Sequence, residues 1–229
     1  LENTNTAETK ILTIIPAYNE EKTIKSTVEA IKSIDHRQTI VVVDDGSIDD
    51  TYNQASGVGV TIIRNMKNVG KGGAIDHALK SIEEDFDIVL LVDADIGHSA
   101  SCAKKLLEPV IEGEADMTIG RLPMSKKKSG FGLVRWLAEK SIYLKTGESI
   151  SSSLSGQRAI NLNSLKSVTI SRGFGLEVGL TIDFLNAGYR IKEIDVEMKH
   201  IGTGKSIGGF MHRGKQFYEI FKTVWLKRK

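Results

Sequence analysis

Apolar positions in the first hundred residues fall into short unbroken runs, separated by stretches with a helical repeat. Residues 11–15 form one run, closed by Pro16. Ile24, Val28 and Ile31 then recur at helical spacing, so a helix is expected there. Asn19 reads as its N-cap, and Glu20 and Glu21 suit the positive end of its dipole. Residues 39–43 are a second, β-branched run stopped by Asp44-Asp45-Gly46, after which Ser47 and Asp50 make a capping-box pattern for a short helix. Residues 60–63 predict a third strand, Ile75, Leu79 and Ile82 a helix, and residues 88–92 a fourth strand. Strands that are apolar throughout and divided by amphipathic helices belong to a mostly parallel sheet covered on both faces. The expected class is α/β.

The pattern loosens after residue 98. Leu106, Leu107, Val110 and Ile111 mark a helix that Pro109 kinks or ends, and residues 116–119 predict a brief strand. A loop over 121–132 carries Lys126-Lys127-Lys128. Helices are expected over 133–145 and 176–186, the second closed by Gly188. Ile194, Val196 and Met198 alternate with charged residues, the pattern of a strand with one wet face. Phe217, Ile220, Phe221 and Val224 form an apolar stripe beside a basic tail, which reads as core or as a surface resting on anionic lipid. With no repeat and no linker, the expectation is one domain, with a nucleotide-binding half over about 11–97 and an acceptor-side half over 98–229.

Composition narrows the function classes. Of 229 residues, 31 are Lys or Arg and 29 Asp or Glu, a net charge of +2, too balanced for a nucleic-acid-binding chain. The single Cys102 excludes an internal disulfide framework and a cysteine-cluster metal site. The longest apolar runs fall far short of the roughly 20 residues of a membrane span. No charged-then-apolar leader opens the sequence, and the expected location is cytoplasmic.

The chemistry gathers at strand ends. In Asp93-Ala94-Asp95 the two carboxylates point to one side of an extended segment, where they suit Mg²⁺ or Mn²⁺ or else simply begin a solvated loop. Three other strand ends carry polar or glycine-rich turns: Pro16-Ala17-Tyr18-Asn19-Glu20, Asp44-Asp45-Gly46-Ser47, and Asn68-Val69-Gly70-Lys71-Gly72-Gly73-Ala74. In an open parallel sheet the carboxyl ends of the strands line the ligand crevice. Asp44 and Asp45 can accept hydrogen bonds from a base or ribose, and Gly70–Gly73 lets the backbone approach an anion at a helix start. No Gly-x-Gly-x-x-Gly follows the first strand, which speaks against a dinucleotide-dependent dehydrogenase.

These four segments, in this order and spacing, resemble the signature series of family 2 glycosyltransferases. Ser155-Gly156-Gln157-Arg158-Ala159 is similar to that family's Ser-Gly-Phe-Arg-Ala turn, and Gly188-Tyr189-Arg190-Ile191-Lys192-Glu193-Ile194 resembles its dolichyl- and polyprenyl-phosphate sugar transferase branch. The resemblance implies a GT-A fold, a nucleotide-diphosphate sugar donor, preferably a UDP-sugar, and Mg²⁺ or Mn²⁺. By it, Pro16, Ala17, Tyr18, Glu20, Asp44 and Asp45 hold the nucleoside. Gly70, Lys71, Asp93, Ala94, Gly156, Gln157 and Arg158 complete the donor site, and Asp95 with Asp93 ligates the metal.

His200 stands where the mannosyltransferase branch usually has Arg; in retaining glucosyl-phosphoglycerate synthases a His in this region is a further metal ligand. His200 therefore reads as a third ligand or as an ordinary surface His. Glu177 reads as a general base for an acceptor hydroxyl, as a helix-start acid, or, with a phosphate acceptor, as a group that orients the sugar. Lys205, His212 and Arg213 read as a basic loop over the diphosphate or as a solvated hinge. The expected reaction is inverting transfer to an acceptor that is a small molecule or a lipid phosphate. The alternatives are a retaining transferase for a phosphorylated acid and a binding module without turnover. Peripheral membrane contact and a homodimer stay open.

Overall fold

A computed structural model describes residues 9–34, 38–123, 131–168 and 175–201. Lys126–Lys128, Lys205, His212, Arg213 and the Phe217 to Val224 stripe lie outside the described residues.

Seven strands form one sheet: β1 (Ile11–Ala17), β2 (Gln38–Asp44), β3 (Thr61–Arg64), β4 (Ile88–Leu91), β5 (Met117–Arg121), β6 (Arg158–Asn161) and β7 (Ile191–Asp195), in the order β3-β2-β1-β4-β6-β5-β7. β1 pairs in parallel with β2 and β4, β2 with β3, and β5 with β7. β6 alone runs the other way, antiparallel to both β4 and β5. The carboxyl ends of the six other strands therefore share one edge. The reversed β6 begins at that same edge, with Arg158 opposite Leu91. That single reversal delivers the 155–157 turn to the place where the parallel strands stop.

Alternation along the strands sorts their side chains into two apolar layers. Leu12, Ile14, Val41, Val43 and Leu91 face α3 (Lys71–Ser81), α5 (Phe131–Thr146) and α7 (Leu176–Asn186), against Ile75, Ala138, Ile142, Leu180 and Phe184. Ile11, Ile15, Val42 and Leu90 face α1 (Ile24–Lys32), α4 (Lys104–Ile111) and a 3-10 helix over Gly97–Ala103, against Val28, Ile31, Ala100 and Leu106. Two short helices, α2 (Thr51–Ser56) and α6 (Leu162–Lys166), complete the layers. Pro109 sits inside α4, which ends two residues later.

Two capping expectations are corrected. α1 starts at Ile24 after Thr23, and Asn19 does not cap it. Asn19 instead adopts a left-handed backbone, φ 57°, where its N–H donates to Ser47 Oγ at 3.0 Å and its Oδ1 accepts from Ile48 N–H at 3.0 Å. Ser47 is thus occupied by the β1 turn, and the Ser47/Asp50 box does not form. Asp49 Oδ1 accepts from Thr51 N–H at the start of α2. β7 is also shorter than its alternation suggests: pairing stops at Asp195, while Val196 and Met198 continue into the core.

Candidate active site

Each element around the carboxyl edge contributes through its first or last residues. At the end of β2, Asp45 is buried and its carboxylate is spent on its neighbours. Oδ1 accepts from Asn65 Nδ2 at 2.7 Å and Val69 N–H at 3.0 Å, and Oδ2 from Gly70 N–H at 2.8 Å. Asp45 therefore fixes the loop that opens α3. Gly46, with φ +76°, is needed at this point because a Cβ there would meet the backbone of Lys67 and Asn68.

Asp44 is differently placed. Its Oδ1 accepts from Ser47 N–H at 2.9 Å, but its fully buried Oδ2 has no aligned donor. Arg64 Nε lies 3.1 Å from that oxygen and so neutralises it without the alignment of a hydrogen bond. A buried acceptor with no donor aimed at it has unused hydrogen-bonding capacity, which a ligand N–H or O–H reaching the end of β2 would satisfy. Arg64, which the sequence reading missed, also lies over the Tyr52 ring at 4.9 Å; its one sequence signal was its place at the end of β3. The Tyr18 side chain is exposed beside this corner, and Pro16 and Ala17 form the end of β1. Ala94 is buried, and its carbonyl accepts from Thr27 Oγ1.

The centre of the site is an acid–base cluster. Lys71, the first residue of α3, places Nζ 2.5 Å from Asp93 Oδ1 and 2.9 Å from Glu177 Oε1. The other oxygen of Asp93 accepts from Gln157 Nε2 at 2.7 Å, and Asp93 N–H donates to Gln157 Oε1 at 3.1 Å. Burial works against the charge on Lys71, yet Asp93 and Glu177 outweigh it and hold its ammonium above the ordinary lysine range. Burial likewise opposes ionisation of Asp93, but Lys71 chiefly, with His200 and Gln157, keeps its carboxyl below the usual value. Gly156 closes over this pair: a Cβ there would overlap Lys71 Nζ and both oxygens of Asp93.

Glu177 is in the first turn of α7, with its side chain 13% exposed and its carboxylate on Lys71. Arg158 lies under the cluster rather than in it. It is 1% exposed and donates to the Ser155 carbonyl, the Ser153 carbonyl and Thr181 Oγ1. Burial pulls its guanidinium down to about 10, against the opposing pull of Glu177 and Asp93. Expected in the donor site, Arg158 is held by these protein partners at the floor of the site, beneath Asp93 and Glu177.

Asp95 and His200 form the outer wall. His200 Nδ1 is 2.8 Å from Asp95 Oδ1, and that bond, opposed by burial, raises the imidazole above its ordinary value. The backbone enforces the contact. Ile201 N–H donates to the Asp95 carbonyl at 2.7 Å, and Lys199 N–H to Ser99 Oγ at 3.0 Å. One ligand atom from each of Asp93, Asp95 and His200 falls within 4.8 Å of the others. Two carboxylates and an imidazole at that separation suit a hard or borderline divalent cation. Glu20, on the rim, has its carboxyl pushed up by burial; a hydrogen bond from Thr23 opposes this, and the charges of Asp95, Asp49 and Asp93 add to it.

Comparison with known proteins matches this arrangement. The chain is 27% identical over 223 residues to the undecaprenyl-phosphate mannosyltransferase of Micrococcus luteus, covering 88% of this chain and 89% of that one. It is 31% identical over 188 residues to the UDP-N-acetylglucosamine–dolichyl-phosphate N-acetylglucosaminyltransferase of Methanococcus voltae, covering 70% and 72%. Glucosyl-3-phosphoglycerate synthase from Mycobacterium tuberculosis, solved with Mn²⁺, UDP and phosphoglyceric acid, has the same fold. The TM-score is 0.80 at 24% identity, covering 95% of this chain and 78% of that one. The expected GT-A architecture is thereby the observed one. The profile of glycosyl transferase family 2 matches residues 13–168, more than half of the chain and all four strand-end turns. The chain belongs to glycosyl transferase family 2 and is a glycosyltransferase.

Proposed function

We propose that the protein transfers a sugar from a UDP-sugar to the phosphate of a polyprenyl phosphate at the cytoplasmic face of a membrane, in one inverting displacement dependent on Mg²⁺ or Mn²⁺. The observation that carries the acceptor class is the Lys71–Glu177 contact of 2.9 Å. A general base must hold a free lone pair towards the hydroxyl it deprotonates. Glu177 has Oε1 set against the Lys71 ammonium, so the carboxylate is held on a cation and not aimed freely at an acceptor hydroxyl. A phosphate monoester arrives already ionised and needs no base. The relatives from Micrococcus luteus and Methanococcus voltae, named for lipid-phosphate acceptors, support the same class.

Asp95 and His200 hold the cation, with Asp93 beside them. Bound there, it supplies Lewis-acid relief of the charge on the departing diphosphate. Asp44 accepts the N–H of the base through Oδ2, the buried oxygen that lacks a hydrogen bond, and the exposed Tyr18 ring lies along the base. Gln157 and Lys71 keep Asp93 in one orientation. Glu177 holds Lys71 at the diphosphate side of the sugar, where the ammonium favours the transition state over the ground state. The acceptor phosphate oxygen attacks the anomeric carbon as its bond to the diphosphate oxygen breaks, with no proton to move.

The test is an acceptor panel with the full chain, MnCl₂ and radiolabelled UDP-sugars: a short-chain prenyl phosphate, 3-phosphoglycerate, and water alone. A β-linked prenyl-phosphate sugar from an α-linked donor, read by proton NMR, is the expected product. Transfer to the hydroxyl of phosphoglycerate with retained configuration would replace this proposal with the retaining alternative. Tight UDP-sugar binding with no transfer to any acceptor would reduce the protein to a binding module.

A further inference from the structure

α5 carries an apolar face that nothing among the described residues covers. Its buried side is ordinary core, with Val134, Ala138 and Ile142 packed towards α7 and the sheet. On the opposite side Leu133 is 62% exposed, Trp136 57%, Tyr143 52% and Leu144 65%. At helical geometry these four and Lys140 lie within an arc of about 100°. Large apolar side chains scattered singly over a surface need no explanation, whereas four on one arc of one helix mark a contact surface.

We propose that this arc of α5 docks the protein onto the surface of an anionic phospholipid bilayer. The composition favours lipid over protein as the occupant. Trp and Tyr are amphipathic rings that settle at the headgroup level, and Leu133 and Leu144 add purely apolar depth. Lys140 stands in the middle of the arc, its Nζ 5.9 Å from the centre of the Tyr143 ring. A subunit interface would bury that ammonium and needs a partner carboxylate to offset the loss of water. At a bilayer the stem lies along the apolar face while the ammonium reaches lipid phosphate. Of the acids and bases of α5, Glu139 is paired to Arg135 at 2.9 Å, on the turn beside the arc, and Lys140 is the cation within the arc itself.

The position of α5 in the fold serves the reaction. β5, which precedes it in the chain, ends at the edge where the site lies, and α5 packs on α7, whose first turn holds Glu177. Past its carboxyl end the chain returns to Gly156 and Gln157 at Asp93. Docking through α5 would hold the helix packed on the Glu177-bearing α7 at the bilayer from which a prenyl phosphate is drawn. This purpose rests on the acceptor reading above; the docking itself does not.

The experiment uses the full chain with Trp225→Phe as background, so that Trp136 alone reports. Vesicles of phosphatidylcholine with and without phosphatidylglycerol are added, and fluorescence and co-sedimentation are followed. Binding to the anionic vesicles with a blue shift of Trp136 is expected. Trp136→Ser and Leu144→Ser should each weaken partitioning about tenfold, and Lys140→Glu should reduce the preference for anionic lipid. Turnover of a water-soluble short-chain prenyl phosphate should be unchanged in all three variants. A Trp136 spectrum indifferent to vesicles overturns the proposal. So does a Trp136 already shielded from quenchers without lipid, or a dimer in sedimentation that Trp136→Ser dissociates, because either shows the arc covered by protein. Vesicle binding without prenyl-phosphate transfer would sink the acceptor reading and leave the surface standing. Prenyl-phosphate transfer without vesicle binding would do the reverse.

Discussion

The two halves of the sheet build their share of the site by opposite means. Around β1 to β3 the polar side chains are tied to neighbouring turns and to one another. Asp45 closes on Asn65, Val69 and Gly70 within 25 residues of itself, and Asn19 and Ser47 staple the first two strand-end turns together. The later segments bring their side chains from far along the chain. Gln157 reaches Asp93 across 64 residues, and His200 reaches Asp95 across 105. In the first half the acids shape loops that a ligand then fills. In the second, distant groups are recruited to set the charge and aim of the two acids at the end of β4. Damage to the first half should therefore appear as lost stability, and damage to the second as lost metal binding and turnover.

The largest expected effect is at the junction of the two. Asp95→Ala removes the acid that meets His200 and that, unlike Asp93, has no ion pair to Lys71 among the described residues. Metal-dependent transfer should fall by roughly 10²–10³-fold or more, with the thermal midpoint little changed, since among the described residues the Asp95 side chain bonds to the half-exposed His200. Turnover close to the parent in the presence of Mn²⁺ would detach the metal site from Asp95.

Gly46→Ala probes the first half. The left-handed backbone and the approach of the Lys67 and Asn68 backbone both oppose a Cβ, and a loss of about 2 kcal/mol is expected. Chemical denaturation measures it. Mn²⁺ affinity, read by electron paramagnetic resonance, should stay near the parent value. A variant that keeps full stability and loses the metal would invert the comparison.

How much of this was legible follows the same division. Apolar runs alternating with helical repeats exposed β1 to β4, and turn residues at each strand end exposed the crevice, because both signals are local. Asn19 and Ser47 do not act as the helix caps their sequence positions suggest, for a physical reason: in the fold Ser47 Oγ accepts from Asn19 N–H and Asn19 Oδ1 from Ile48 N–H, joining two turns distant in sequence. Glu177 and His200 were legible as candidates through family resemblance, not through spacing. The clamp of Gln157 on Asp93 and the burial of Arg158 were not, since both depend on β6 entering antiparallel between β4 and β5. No pattern within residues 155–159 announces that insertion.

Gln157→Leu tests the recruited half at intermediate scale. The substitution keeps volume but leaves Asp93 N–H and Oδ2 without their partner, a cost of about 1–3 kcal/mol where the pair stays dry. Asp93 then turns more freely beside Lys71, and Mn²⁺ affinity should fall roughly tenfold. The sharper readout is the ratio of the two losses: relative to Gly46→Ala, more of the damage should fall on the metal than on the midpoint of unfolding. Equal ratios in the two variants would erase the distinction between loop-shaping and recruited acids.

The smallest effect lies away from the cation. Glu193, on β7, accepts from Ser151 Oγ at 2.7 Å and Ser152 N–H at 2.6 Å, and so ties the chain after α5 to the sheet. Burial raises its carboxyl, but the hydrogen bonds from Ser151 and Ser152 outweigh that and leave it below its ordinary value of 4.5. A carboxyl depressed in the folded state contributes stability that is complete above the unfolded value. That contribution is lost as pH falls through the folded one. Glu193→Gln should therefore lower the thermal midpoint near neutrality, and the gap to the parent should narrow below about pH 4.5 as the parent's carboxyl takes up its proton. Because the group is half-buried, the gap is expected to be modest, and turnover measured at pH 7 should hardly move. A gap that persists unchanged at pH 3 would assign the loss to packing of the Ser151–Ser152 turn and not to the charge on Glu193.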